Sequence, residues 1–189
     1  MKEDEDEARW PSEGDRLFVE AHRGYAAQVV AHPGERFYRL PKGYKRAGDI
    51  LTEQALDDPV DRRNIVYAAL FCYRQSIELF LKSLIHEFGQ DGVKYDHRLN
   101  DLWKGFTKLS ANRGCRDVLG MKAAESLVLE MHEADARSDG FRFATDTKGA
   151  PFGFGDRFID LENLRSAMEA LSNFFECAAL EFYRHDSME

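Results

Sequence analysis

Apolar residues recur at helical spacing through most of this chain, and the breaks between the runs predict the elements. Residues 12–31 read as a first helix, with Ser12 as a cap, Leu17, Val19, Ala21, Tyr25, Val29 and Val30 as its apolar surface, and Pro33-Gly34 as its end. Leu40-Pro41-Lys42-Gly43 is loop chemistry, and a second helix is expected over 44–56, striped by Ala47, Ile50, Leu51 and Leu56. Asp57-Asp58-Pro59 breaks it and starts the next, because Asp caps a helix and Pro suits its first turn.

Residues 60–88 make the strongest element. Beyond Asn64 it is apolar almost all round, the pattern of a helix buried at the centre of a bundle. Gly89 stops it, and residues 89–96 read as a loop. Shorter helices follow over 99–109 and from 115 or 116 to 136. Residues 139–159 break the period: Phe141 and Phe143, then Phe152 and Phe154, alternate around the turn sequence Asp146-Thr147-Lys148-Gly149. The last helix runs over 161–183, capped by Asp160, with Leu164, Met168, Leu171, Phe174, Phe175, Ala178 and Phe182 spaced by three and four. The sum is an all-α antiparallel helical bundle of about five to six helices, with one inserted irregular loop or short hairpin. Residues 1–11 read as an acidic tail and 12–186 as a single domain of ordinary size.

The longest stretch free of Asp, Glu, Lys and Arg has 11 residues, too short for a membrane span, and the opening MKEDEDE is acidic where a secretory leader is basic. Cys72, Cys115 and Cys177 form neither a CxxC pair nor a disulfide rhythm. These features point to a cytoplasmic protein. The six histidines lack metal-ligand spacing, His132-Glu133-x-Asp135 being a coincidence on one helix end, and no phosphate-binding glycine loop occurs. Neither metal nor cofactor is expected.

Charge is segregated. The net charge of −8 owes half of itself to residues 1–7. Five basic residues and three aromatics, but no acid, lie between Arg36 and Arg46, and residues 94–116 carry a net +4. The stretch 160–189 carries a net −5. Basic residues interleaved with aromatics suit contact with phosphates and bases, so Arg39, Lys42, Lys45 and Arg46 are a candidate phosphate track. The competing reading is that the basic strip and the acidic helix neutralise each other.

One pattern is sharper. Arg74, Glu78 and Lys82 follow each other at i, i+4 on the greasiest helix, and so share one face. Burying such groups is costly unless they pair or open to solvent. The stripe is therefore either a closed ion-pair ladder or one wall of a groove. The groove gains force if His97, Arg142 and Asp146 converge on it, making Arg74, Glu78, Lys82, His97, Arg142 and Asp146 the candidate binding set.

The segments VYAALFCYRQSIELFLKSLI and HRLNDLW, with FRFATDTKG and IDLENLRSAMEALSNFFE, resemble HEPN domains, a helical family of prokaryotic toxin–antitoxin and abortive-infection systems. The resemblance spans residues 40–180. It implies an antiparallel helical bundle, homodimerisation, a possible cognate partner protein, and handling of RNA or nucleotides, in some members as metal-independent ribonucleases. The family's nuclease signature, Arg then His after four to six residues on a late helix, does not occur at that place; Arg16 and His22 have the spacing at the wrong end of the chain. His97-Arg98-Leu99 also departs from the family's His-Asp-Leu. Three functions follow as expectations: a module binding RNA or nucleotide, a ribonuclease using His97 with Arg142 or Arg74, and a scaffold that binds no ligand.

Overall fold

The computed structural model describes residues 9–18, 27–89, 97–114, 120–155 and 157–187. The chain divides into two compact units, residues 1–30 and 31–189. In the first, the helix expected over 12–31 is absent from the residues described: 12–18 hold only a turn, in which Asp15 caps the Ser12 N–H, and 27–31 are irregular. Residues 19–26 of that expectation lie outside the described set, as do the loop over 90–96 and the helix start at 115–119.

The second unit contains five α-helices and, among the described residues, no strand: α1 Pro33–Asp57, α2 Arg62–Phe88, α3 Leu99–Asn112, α4 Met121–Ala134 and α5 Leu161–Asp186. No helix among the described residues is long and apolar enough to cross a membrane. Helix α1 begins eleven residues earlier than its apolar stripe suggests. Pro33 starts it rather than ending a predecessor, because a first-turn proline lacks only an N–H that has no partner there anyway. Pro41 lies inside α1, not in a loop. It forfeits one backbone bond, while its own carbonyl accepts from the buried Ser76 hydroxyl of α2 at 2.9 Å.

The α1–α2 break falls where the aspartates foretell it. The Asp58 carboxylate accepts from the Val60 and Asp61 N–H groups, and Arg62 reaches back to the last carbonyls of α1, at Ala55 (2.6 Å) and Leu56 (3.0 Å). Gly89 ends α2, and the Asp160 carboxylate caps α5 by accepting from the Asn163 N–H at 2.9 Å.

Helix α2 is the hub, packing on α1, α3 and α5. The core is aromatic: Phe106 of α3 meets Trp103, Phe174, Phe175 and Phe182, and Phe80 of α2 stacks on Phe175. Between α4 and α5 the chain is an irregular ordered loop rather than a hairpin. Its geometry comes from two carboxylates: Asp135 accepts from the Asp139 and Gly140 N–H groups, and Asp146 from those of Lys148 and Ala150. Phe141 turns inward and Phe143 outward.

Candidate functional site

Along one face of α2, Phe71, Arg74, Glu78 and Lys82 form a continuous row. Arg74 is 0% exposed and Glu78 1%. Each guanidinium nitrogen is engaged: Nη1 donates to Glu78 Oε2 (2.7 Å), Nε to the Asp135 carbonyl (2.9 Å) with the Asp135 carboxylate at 3.5 Å, and Nη2 to the His97 carbonyl (2.7 Å). Arg74 thus ties α2 to the start of α3 and to the end of α4. Its planar fork suits three separated acceptors, which a lysine could not meet at once.

Glu78 closes the row from the other side. Its Oε1 accepts from the Lys82 ammonium (2.7 Å) and faces His97 Nδ1 (2.9 Å). Burial alone would push the Glu78 carboxyl up. Hydrogen bonds from Lys82, Arg74 and His97, helped by the Lys82 charge, outweigh that and hold it below the ordinary carboxyl range. The inner half of the stripe is therefore a sealed ion-pair ladder, and Arg74 reaches no solvent. The outer edge opens at His97, whose side chain is 68% exposed, while that of Lys82 is 12% exposed.

Arg142 belongs to the same region without touching the ladder. Its Nε donates to the Ser138 carbonyl and Nη2 to Asp139 (3.0 Å). The guanidinium lies over the rings of Phe71 (5.7 Å) and Phe143 (5.1 Å). Phe71 and Glu78 are seven residues apart, about two helical turns or roughly 10 Å. Arg142 and His97 consequently flank the two ends of one face. Asp146 does not join them; its carboxylate is spent on its own loop.

Most of the candidate phosphate track is neutralised from within. Lys45 pairs with Asp49 (2.9 Å) and Glu169, Lys42 with Glu176 (3.4 Å), and Arg39 with Glu35. Burial tends to lower both lysines; for Lys45 the bonds to Glu169 and Asp49, and for Lys42 those to Tyr38 and Glu176, raise them above the ordinary range instead. Arg165 of α5 and Glu53 of α1 add a third cross-helix pair (3.1 Å). The basic strip on α1 and the acids of α5 are thus largely each other's partners. Arg46 is exposed and pairs with no described acid.

Sequence reasoning missed two features. Asp135 is a buried junction whose carbonyl holds Arg74 and whose carboxylate shapes the loop. The other is a cavity of about 430 Å³ between α2, α4, α5 and the loop after Gly140. The run Ser138-Asp139-Gly140 after an aspartate signals the former; nothing local signals the latter. No group of three or more His, Cys, Asp or Glu side chains among the described residues is placed to hold a metal ion. No protein-family model, curated protein or solved structure matches this chain.

Proposed function

We propose that this chain is a helical module that binds single-stranded RNA or a nucleotide on the α2 face flanked by Arg142 and His97. The supporting observation is the placement of exposed groups at both ends of a row whose interior is locked: Arg142 with Phe143 at one end, His97 at the other. Arg142 meets a phosphate, and Phe143, more than half exposed, offers a ring on which a base stacks. Arg74 and Glu78 act as positioning residues, holding His97 and Lys82 from inside. The resemblance to HEPN domains supplies the ligand class, the homodimer and the defence or toxin–antitoxin setting.

The test is fluorescence anisotropy with a labelled single-stranded RNA pool at low salt, on the wild type, Arg142→Ala and Lys82→Ala/His97→Ala. Binding that falls about tenfold in each variant supports the site. No binding by the wild type, or full affinity in both variants, overturns it.

The His97–Glu78 pair favours a second, catalytic reading. A buried carboxylate facing Nδ1 orients an imidazole as acid–base chemistry on a ribose 2′-hydroxyl needs, with Arg142, about two helical turns away, holding a neighbouring phosphate. Incubating the same RNA pool with metal chelated, and with His97→Ala as control, separates the two readings. Cleavage lost in the variant establishes a ribonuclease; uncleaved RNA that still binds leaves the binding module.

A further inference from the structure

The cavity beneath the α4–α5 loop is distinct from the α2 face just described. Buried Leu70 and Ile77 of α2, Met131 of α4 and Leu171 of α5 line it, with the edge-to-face pair Phe141 and Phe154 contributed by the loop. At about 430 Å³ it far exceeds the gaps that close packing leaves and lies within the ~300–1,000 Å³ of small-molecule pockets. Two methionines, Met131 and Met168, line it, and their unbranched side chains adapt to a guest.

Its mouth carries charge of one predominant sign. Glu130 and Glu133 on the last turns of α4 and Asp160 at the start of α5 stand there, opposed by Arg157 alone among the described lining residues. Arg157 is laid over the Phe154 ring (5.2 Å). Glu130 and Glu133 are exposed and form no ion pair with a described residue. The C-terminal end of α4 adds the negative end of a helix dipole on the same side.

We infer that this cavity binds a small cationic amphiphile, an aliphatic or aromatic amine whose apolar body fills the space under Phe141 and Phe154 while its ammonium group meets Glu130 and Glu133. The shape accepts any apolar body of suitable size; the acidic mouth selects the head group.

Three probes of equal chain length decide it: octylamine, octanol and octanoate, each used to displace the neutral dye Nile red from the full chain at low salt. The amine is expected to compete at least about tenfold better than the carboxylate, with the alcohol between, and added salt is expected to shrink that gap. In Glu130→Gln/Glu133→Gln the amine is expected to fall to the alcohol's level, the alcohol being unchanged. Ala167→Trp, which fills the cavity from α5, is expected to abolish displaceable dye binding with the helical circular dichroism retained; Ala167→Leu is the milder filling variant should tryptophan unfold the chain. No dye or amine binding by the wild type overturns the inference. So does octanoate equalling octylamine, or undiminished binding in a folded cavity-filling variant.

Discussion

Glu78 remains ionised inside the fold because three donors reach it, and the arrangement makes it fragile to the loss of any one of them. Glu78→Gln removes the nearer of two buried carboxylates around Arg74, leaving Asp135 at 3.5 Å, and sets Lys82 beside a neutral amide; breaking a buried pair costs up to about 3–5 kcal/mol. Urea denaturation of the variant is expected to show that loss; a change under about 1 kcal/mol would mean that the Asp135 carboxylate and the Asp135 and His97 carbonyls suffice for Arg74. The double variant Arg74→Met/Glu78→Leu is expected to recover part of the loss at most, since it strands those two carbonyls and deprives the buried Asp135 carboxylate of its cation. The pH dependence follows from the same residue. With its folded value below the ordinary 4.5, charged Glu78 contributes stability that is complete above that value and is lost as pH falls through the lower one. His132 acts in a separate window. Burial first, then the charges of Arg98 and Arg74, lower it from 6.5, against weaker opposing pulls from Asp101 and Glu133. As pH falls below 6.5 the unfolded chain takes the proton first, so stability declines from there toward the folded value. Thermal midpoints at about pH 7.5 and 5.5 are expected to differ in the wild type and to differ less in His132→Gln.

At the scale of elements, Gly48 of α1 lies hard against Tyr73 of α2. A Cβ at position 48 would lie 2.6 Å from two atoms of the Tyr73 ring. That ring cannot retreat: it is fully buried, and its hydroxyl donates to Asp49 at 3.0 Å. Gly48→Ala is therefore expected to destabilise by about 1–3 kcal/mol in chemical denaturation, against the gain that alanine gives in an open helix. Gly43, with nothing near its Cβ position, is the control, and Gly43→Ala is expected to be neutral or stabilising. The same helix shows where local pattern stops being legible. The boundaries of α2, α3 and α5 follow from capping aspartates, Gly89 and three–four apolar spacing, all short-range chemistry. The start of α1 does not, because Pro33 and Pro41 carry turn signals that packing overrides: Pro41 is buried against α2 and its carbonyl is claimed by Ser76. Over 12–31 the opposite holds, for scattered apolar residues imitate a helix that residues 12–18 and 27–31 do not form.

On the scale of the whole molecule, the stripe on α2 was legible as a choice between ladder and groove, but its resolution was not. Two of the three acceptors of Arg74 are backbone carbonyls, Asp135 and His97, whose approach depends on how three segments meet. The cavity was invisible for the same reason: its lining comes from four separate stretches. Charge segregation was plain in the chain, and the fold resolves it by pairing α1 with α5. Those pairs are mostly half-exposed, each worth at most about 1 kcal/mol, and the aromatic core carries the stability. Folding and RNA binding are therefore expected to answer salt differently. From about 0.05 to about 0.5 M salt the thermal midpoint should move by no more than a few degrees. Over the same range RNA affinity should fall along a log–log slope of about −0.7, the value for one phosphate contact on a single strand, made by Arg142. Arg142→Ala should bring that slope close to zero. A slope near zero would show that no phosphate is held on this face, and a midpoint collapsing in step with affinity would show that salt acts on the fold and not on the contact.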